Sequence, residues 1–332
     1  MNILFTSAGR RGYLLSYFAE AMKGDSFIVA VDNSPLASAL SYADRSYISP
    51  KIFDPNYVEF LLEVAQECAI KLLIPLNDLE IELLADSVDR FKSIGVELLL
   101  PSRRSVEISM DKLEMSCVLS ELGFKTPTTY SRLDEAKEAL NSGVISFPLF
   151  IKARWGAGSQ FVERVESLDE LELAFPLMKM QIERSIFANL SKSNESLIIQ
   201  QAIKGTEYGV DIISNLTGNY QMCVIKRKLA MRSGETDKAT IISHQALEEL
   251  SSKLTSSIGA SAIIDCDIIE SNGELHIIDI NPRFGGGYPF SHAAGVNLPK
   301  AIVAWMRGEK EHKLETPNYG ATFIKEERVR LL

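Results

Sequence analysis

A short segment near the C-terminus combines the strongest candidates for chemistry: Asp279-Ile280-Asn281-Pro282-Arg283, followed by three glycines. The apolar stretch before it carries two further carboxylates, Asp265 and Asp267. Residues two apart in a strand share a face, so Asp279 pairs with Asn281, and Asp265 with Asp267. If these faces coincide, oxygen ligands converge without nearby cysteine or histidine pairs, which suits Mg²⁺. Arg283 offers a planar fork for a phosphate or carboxylate. The alternative is a solvated hairpin end with a glycine turn.

A second candidate is the segment from Ile151 to Ser159, in which Lys152 precedes Gly156 and Gly158. A lysine at a strand end followed by small residues can surround a polyphosphate with an ammonium and backbone N–H groups. The segment is not a P-loop, because the glycines of a P-loop precede its lysine and here they follow it. Taken alone, this segment is explained better by a plain hairpin turn.

A third segment runs from Gln200 to Tyr208. Its strand end could offer backbone groups to a base, and Glu207 could accept hydrogen bonds from ribose hydroxyls. By itself it is a strand, a turn and a strand. Lys112 is typical of a solvated surface lysine, and so is the basic run Lys226-Arg227-Lys228, with Arg232 close by in the sequence.

The elements that must position these residues follow two patterns. Over the first hundred residues, short apolar runs alternate with helical stripes, which predicts a doubly wound parallel sheet with polar clusters at its carboxyl ends. Pro101 and Ser102 mark a boundary. Before it we expect helices over 13–22, 57–68 and 79–94, and beyond it helices over 105–122, 168–190 (broken at Pro176) and 246–258. The expected strands cover 2–6, 27–31, 71–75, 96–100, 147–153, 197–202, 207–214 and 220–228, with a hairpin of 262–270 and 274–280.

Composition narrows the classes of function. A length of 332 residues predicts two or three subdomains, and a net charge of −9 argues against nucleic acid as the main partner. The four cysteines are widely spaced and no apolar run approaches the roughly 20 residues of a membrane span. No signal-peptide pattern opens the chain. We therefore expect a soluble cytoplasmic protein without a membrane partner, and a homodimer as the default assembly.

Taken in order, these segments resemble the ATP-grasp superfamily over nearly the whole chain, specifically its carbamoyl-phosphate-synthase-like and carboxylate–amine ligase branch. The resemblance rests on Met110-Asp111-Lys112, the Lys152 strand, Lys204-Gly205-Thr206-Glu207 and, most specifically, Asp279-x-Asn281-Pro282-Arg283. It implies a Rossmann-like pre-ATP-grasp domain over 1–101. A two-lobed ATP-grasp domain over 102–332 would follow, with its small lobe at about 125–202 and its C-terminal lobe at about 203–332.

The resemblance also implies roles for single residues. ATP would contact Lys112, Lys152, Gly156, Gly158, Ser159, Gln201, Ile203 and Glu207. Two Mg²⁺ ions, replaceable by Mn²⁺, would bind Asp279, Asn281 and one of Asp265 and Asp267; the family's spacing favours Asp265. Arg283, with Arg232 as the weaker candidate, would steady the transferred phosphoryl group. The second substrate would meet Gly9, Arg10, Asn77, Asp78, Glu80, Gly286 and Tyr288, although Gly9 equally suits a structural turn.

Two residues depart from the family's pattern, since glutamate is common where this chain has Gln201 and Asp279. Both replacements keep a usable group, because glutamine still bonds adenine and aspartate still binds metal. The expected function is an ATP-dependent ligase that phosphorylates a carboxylate and couples the acyl phosphate to an amine. The alternatives are an enzyme that phosphorylates bicarbonate or carbamate, as in carbamoyl phosphate synthase, and an ATP-binding sensor without catalysis. A nicotinamide-dependent dehydrogenase is excluded because the glycines near Gly9 do not form GxGxxG.

Overall fold

The computed structural model describes residues 1–22, 24, 26–156, 160–190, 193–309, 311–326 and 329. Its N-terminal part is a parallel sheet in the order β3-β2-β1-β4-β5, with strands β1 (Asn2–Thr6), β2 (Ile28–Asp32), β3 (Arg45–Ile48), β4 (Ile70–Pro75) and β5 (Glu97–Leu98). Its helices are α1 (Gly12–Met22), α2 (Tyr57–Glu67), α3 (Asp78–Ala85) and α4 (Val88–Ser93). β1 and β4 are neighbours at the switch in strand order, so their carboxyl ends flank the crevice where such sheets bind ligands.

The middle of the chain forms a smaller antiparallel sheet. Helices α5 (Arg103–Met110) and α6 (Lys112–Glu121) lead into it. Its order is β6-β9-β7-β8, with strands β6 (Thr129–Tyr130), β7 (Leu149–Ala153), β8 (Val162–Val165) and β9 (Leu197–Gln201). Helices α7 (Leu133–Asn141) and α8 (Leu168–Glu183) pack against it, and apolar residues of sheet and helices share one buried cluster.

The C-terminal part is an antiparallel sheet of six strands in the order β14-β13-β10-β11-β12-β15. The strands are β10 (Thr206–Ser214), β11 (Tyr220–Arg232), β12 (Glu235–Ile242), β13 (Ile263–Ser271), β14 (Glu274–Asn281) and β15 (Thr322–Ile324). Helices α9 (Gln245–Ile258), α10 (Tyr288–Ala293) and α11 (Leu298–Met306) cover it. No helix within the described ranges is both long and apolar enough to span a membrane.

The first and third sheets share a hydrophobic core. Phe18 of α1 packs edge-on against Phe284, with ring centroids 6.0 Å apart, and both belong to one buried cluster that also includes α11. The parallel N-terminal sheet is therefore fixed against the segment that follows the Asp279 strand. The predicted parallel sheet and the later antiparallel strands are confirmed, and the boundary predicted at residue 101 lies between β5 and α5.

Three helix predictions need correction. Pro176 does not break its helix, because it lies on the exposed face of α8, where water can reach the carbonyl that loses its hydrogen bond. The helix expected over 79–94 is two helices, and the Ser87 hydroxyl bonds back to the carbonyl of Leu83 between them. The helix expected over 105–122 is interrupted at Asp111, whose extended backbone and carboxylate cap α6. This cap places Lys112 at the first position of a new helix.

Candidate active site

The β13–β14 hairpin brings the predicted metal ligands together. Asp265 lies opposite Asn281, and Asp267 lies opposite Asp279, so the four side chains share one face of the sheet. A two-residue turn with positive φ at Asn272 and Gly273 closes the hairpin and sets its initial register. The register shifts between Asp267 and Ile268. The structure therefore places the predicted pairs of residues on the same face of the sheet.

Two lysines neutralise the two central aspartates. Lys112 Nζ lies 3.0 Å from Asp279 Oδ1 and also donates to the carbonyl of Gly156 at 3.2 Å. Lys228 Nζ donates to Asp267 Oδ1 and Glu207 Oε1, both at 2.7 Å. Burial alone would lower the pKa of Lys228, but its two carboxylate partners outweigh burial and raise that pKa. Lys228 therefore stays charged between the predicted metal and ribose positions.

Lys152 extends from the small sheet toward the same carboxylates. Its ammonium donates to Gln200 Oε1 at 2.7 Å. Burial lowers the pKa of Lys152 to about 8; Asp279 opposes this shift and the neighbouring ammonium of Lys112 adds to it. Two lysines from different elements thus flank Asp279, which gives the site the density of positive charge that a polyphosphate needs.

The aspartates differ in their electrostatics. Burial raises the pKa of Asp265 to about 7, Lys226 opposes the shift, and the carboxylates of Asp211 and Asp267 add to it. Asp279 has a lowered pKa, because Lys112 and other nearby cations outweigh the effect of its burial. The cluster therefore holds the firmly ionised Asp279 beside Asp265, whose burial favours its neutral form.

The arrangement of these residues suits Mg²⁺ that binds together with a nucleotide rather than alone. Among the described residues, no group of three carboxylate, histidine or cysteine side chains is close enough to form a ready-made metal site. Instead, lysines hold Asp267 and Asp279, while no hydrogen bond or ion pair joins the Asp265 carboxylate to another described side chain. Mg²⁺ is commonly bound through one or two carboxylates together with substrate phosphates. The oxygen donors here suit ions that arrive with a nucleotide.

Arg283 connects the hairpin to the N-terminal sheet. Its guanidinium donates to Asp78 in α3, to Asn281 Oδ1 at 3.3 Å and to the carbonyl of Phe284 at 3.0 Å. Both Arg283 and Asp78 are buried. Burial would lower the pKa of Arg283, but Asp78 outweighs it and the pKa is raised. Asp78 was predicted to contact the second substrate; in the structure it holds the predicted catalytic arginine.

A buried charged group lies beneath the glycine run. Lys226 Nζ lies 2.6 Å from Asp211 Oδ1, and the Ser291 hydroxyl donates to the same carboxylate. The prediction that Lys226 and Lys228 are solvated surface lysines is wrong, because alternation along β11 turns both inward, and they are 1% and 6% exposed. A methyl group at Gly285 would come within 2.7 Å of the Asp265 Cβ, so this backbone lies directly on the carboxylates.

The segment after β7 is anchored by an arginine that the sequence did not single out. Arg154 forms a two-pronged ion pair with Asp111, with Nε–Oδ1 and Nη2–Oδ2 distances of 2.8 Å, and reaches Glu195 at 3.4 Å. The amide of Lys112 donates to the carbonyl of Arg154 at 3.1 Å. The cap that starts α6 is thus joined directly to the segment that follows β7. Gly158 and Ser159, both predicted to contact ATP, lie outside the described residues.

The residues predicted to face adenine and ribose are grouped near the end of β9. The Gln201 side chain accepts from the amide of Ser146 at 2.8 Å and donates to its carbonyl at 3.0 Å, so it ties two backbone segments together. Ile203 follows the strand, and its backbone has no hydrogen-bond partner among the described residues. Gln200, which the sequence analysis did not select, is the glutamine beside Lys152. The sequence signal that could have identified Gln200 is its position as a polar residue within the buried strand at 197–201.

Some of the residues predicted to contact the second substrate are exposed or partly exposed, and others are fully buried. Arg10 is exposed, Gly286 lies against the Glu235 carboxylate, and Asn77 caps α3. Glu80 and Tyr288 are fully buried: Glu80 accepts from the Tyr57 hydroxyl, and the Tyr288 hydroxyl donates to the carbonyl of Val296. Gly9 has a positive φ, and its amide donates to Asp32 at 2.8 Å. Arg232 is mainly exposed and pairs with Asp237 at 3.2 Å.

Two family models match separate parts of the chain. Residues 3–99 match the model described as a PylC-like N-terminal domain. Residues 193–329 match the model described as ATP-grasp in the biosynthetic pathway with Ter operon. The second match includes both strands of the aspartate hairpin, and the first covers the parallel sheet.

Curated relatives include the carbamoyl phosphate synthase large chain of Clostridium beijerinckii, which is 24% identical over 325 residues, covering 90% of this chain and 27% of the relative. The large chain from Helicobacter pylori strain 26695 is 26% identical over 211 residues, covering 60% of this chain and 19% of the relative. The chain thus spans about a quarter or less of the length of these relatives.

Solved structures share the fold. The biotin carboxylase domain of Hydrogenobacter thermophilus 2-oxoglutarate carboxylase, solved with MgADP and bicarbonate, gives a TM-score of 0.76 at 16% identity, covering 97% of this chain and 73% of that one. N5-carboxyaminoimidazole synthetase from Staphylococcus aureus, solved with ADP, gives 0.74 at 14% identity, covering 97% and 81%. Residues 193–329, which include the hairpin of Asp279, Asn281 and Arg283, thus match an ATP-grasp family model, and nearly the whole chain shares the fold of these solved structures.

Proposed function

We propose that this protein is an ATP- and Mg²⁺-dependent ligase that phosphorylates a carboxylate and couples the resulting acyl phosphate to an amine. The observation that carries the proposal is the face on which Asp267 opposes Asp279 and Asp265 opposes Asn281. Lysines from two other elements converge on that face. The ATP-grasp family model that matches residues 193–329 supports the same chemistry, and so do the carbamoyl phosphate synthase, the carboxylase and the N5-carboxyaminoimidazole synthetase among the similar proteins.

The reaction needs positioning and charge more than a side-chain nucleophile. A substrate carboxylate oxygen attacks the γ-phosphorus of ATP, and ADP leaves. The amine nitrogen then attacks the acyl carbon, and phosphate leaves. Lys112 and Lys152 would bind the phosphates, and Arg283, fixed by Asp78, would present its remaining N–H groups to the transferred phosphoryl group. Asp279, Asn281 and Asp265 or Asp267 would hold two Mg²⁺ ions, for which Mn²⁺ would substitute, and these would supply further charge neutralisation.

The nucleotide would lie between the small sheet and the C-terminal sheet. The backbone groups of Ile203, which have no partner within the described part of the chain, would meet an adenine edge, and Gln201 holds the end of that strand. Glu207 is part-exposed and paired with Lys228, so it can accept from ribose hydroxyls without leaving its cation. The Gly156 segment would close over the phosphates and exclude water from the acyl phosphate.

The test is ADP release from MgATP with amino acids offered singly and in pairs, and with bicarbonate. Wild type should be compared with Asp279→Ala and with Glu274→Gln, a matched control that alters an exposed carboxylate at the other end of the same hairpin. ADP release that requires two amino acids together, is lost in Asp279→Ala and is retained in Glu274→Gln would establish the ligase. Turnover with bicarbonate alone would instead favour the carbamoyl-phosphate-like alternative, for which the curated relatives speak. ATP binding without ADP release for any substrate would contradict catalysis and support the sensor.

A further inference from the structure

An arginine without a carboxylate of its own lies at the crevice between the carboxyl ends of β1 and β4. Arg11 is partly buried between β1 and α1. Its guanidinium donates to the carbonyl of Leu76, directly after the end of β4. Within the described part of the chain, this carbonyl is its one hydrogen-bond partner, and no carboxylate forms an ion pair with it.

Two carboxylates influence Arg11, and each already holds another cation. Asp78 accepts from Arg283, and Glu235 Oε2 lies 2.8 Å from Lys325 Nζ. Burial and the nearby guanidinium of Arg283 lower the pKa of Arg11, and Asp78 and Glu235 oppose that shift only in part. Arg11 is therefore the cation of this group that still needs an anion.

Other charged groups nearby do not supply that anion. Asp32 accepts from two backbone amides, at 2.8 and 2.9 Å. Glu80 accepts from a buried tyrosine hydroxyl and two backbone amides, and burial raises its pKa, which favours the neutral form. The exposed Arg10 adds a further cation on the side of Glu235. The crevice thus has an excess of positive charge.

Arg11 and Arg283 are held on one short segment of chain. Arg11 donates to the Leu76 carbonyl and Arg283 to the Asp78 carboxylate. The Cα atoms of residues two apart are at most about 7.6 Å from each other, and a chain of four or five carbons has a comparable length, since each C–C bond measures about 1.5 Å. Tyr13 lies close to both arginines, and burial raises its pKa to about 12, so its hydroxyl stays protonated and can donate to a carboxylate.

We propose that the acid phosphorylated by this protein carries two carboxylates, the first placed at Arg283 for reaction and the second bound by Arg11. The inference rests on the proposed function, because the first carboxylate is the one that attacks the γ-phosphorus. When that group has become an acyl phosphate, the second carboxylate remains ionised and keeps Arg11 paired while the amine attacks. A monocarboxylate or bicarbonate would leave the arginine without an anion, which is costly for a partly buried charge. Helix α1 favours the same ligand, because its positive end begins at Gly12 and its first turn has no acidic residue.

The test is isothermal titration calorimetry with dicarboxylates and their monoamides, in the presence of saturating MgADP. The pairs are aspartate and asparagine, glutamate and glutamine, succinate and succinamate, and glutarate and glutaramate, which differ within each pair only in the second carboxylate. At least one dicarboxylate should bind roughly tenfold or more tightly than its monoamide, because the amide loses a charge-assisted bond to the guanidinium.

Variants of Arg11 assign that preference to one side chain. Arg11→Met should remove the preference, and Arg11→Lys should retain part of it, since lysine keeps the charge but not the planar fork. Arg104→Met is the matched control, because Arg104 is an exposed arginine in α5, and it should keep the full preference. Thermal unfolding of each variant separates a lost contact from a lost fold.

Equal affinity within every pair, or no binding of any dicarboxylate, overturns the proposal. A full preference in a folded Arg11→Met variant overturns it as well, because Arg11 would then only hold the Leu76 carbonyl. ADP release from MgATP, with hydroxylamine as the amine, separates this inference from the proposed function. Binding of a dicarboxylate through Arg11 without ADP release would support the binding site and refute the ligase. ADP release that is equally fast with a dicarboxylate and its monoamide would support the ligase and refute the second carboxylate.

Discussion

Nucleotide affinity should depend on pH through Lys152. This lysine is partly buried between Gln200 and the carboxylates, and its burial lowers its pKa to about 8. The phosphates of a nucleotide ionise with a pKa near 6, so they remain charged above pH 7. The lysine is therefore the partner whose charge changes between pH 7 and 9. Binding should be tight while Lys152 is protonated and should weaken as pH rises through 8.

The size of the effect follows from that pKa. With a value of about 8, roughly 90% of Lys152 is charged at pH 7 and roughly 10% at pH 9. If the nucleotide binds the charged form only, its affinity should fall roughly tenfold between these pH values. Phosphate also stabilises the ammonium, so binding at pH 8 should take up about half a proton.

Isothermal titration calorimetry with MgADP at pH 7, 8 and 9 measures both quantities, when each titration is repeated in two buffers of different ionisation enthalpy. Lys152→Arg is the control, because arginine stays charged over the whole range, and its affinity should be flat with pH. Lys152→Met should bind weakly at every pH. Equal wild-type affinity at pH 7 and 9, or the same decline in the arginine variant, would refute the reasoning.

Three further predictions concern packing around the site. Gly285→Ala should lower activity and raise the Mg²⁺ concentration needed for half-maximal activity at least tenfold, because the new methyl group displaces Asp265. Steady-state kinetics at varied Mg²⁺ concentration would measure this change, and unchanged kinetics would contradict the close approach. Arg154→Ala should raise the KM for ATP, since Lys112 loses the anchor of its helix start; an unchanged KM would remove Arg154 from that role. Ile264→Ala should destabilise the C-terminal lobe by about 2–5 kcal/mol in urea unfolding, since Ile264 is fully buried, whereas a cost below about 1 kcal/mol would contradict a packed core.

Much of the scaffold could be predicted from local pattern. Buried parallel strands are continuous apolar runs, so β1, β2 and β4 were found nearly to the residue. Strands β3 and β12 were missed for different reasons: β3 is a short, largely exposed edge strand, and β12 mixes polar and apolar residues without a strict alternation. The domain boundary at residue 101 and the roles of the site residues remain predictions, which the proposed variants test.

The site itself could be predicted in part. Types and spacing selected the Asp279 strand, because metal chemistry restricts the usable side chains, whereas the roles of Lys112 and Lys152 depended on the resemblance to the ATP-grasp superfamily. The sequence did not reveal Lys228 or Arg154 as members of the site. A lysine within a basic run is usually solvated, and only the inward turn of β11 places Lys228 between Glu207 and Asp267.

The sequence alone determined which groups can bind phosphate and metal, and the alternation that places pairs of them on one strand face. The tertiary structure decided how the strands align and which partner each group receives. The register shift beside Asp267 sets which residues oppose each other, and no local pattern encodes it. The pairing of Asp78 with Arg283 joins residues that are 205 positions apart, and it arises because the parallel sheet and the C-terminal lobe pack on a common core. Such contacts depend on how layers dock, which is a property of the whole fold.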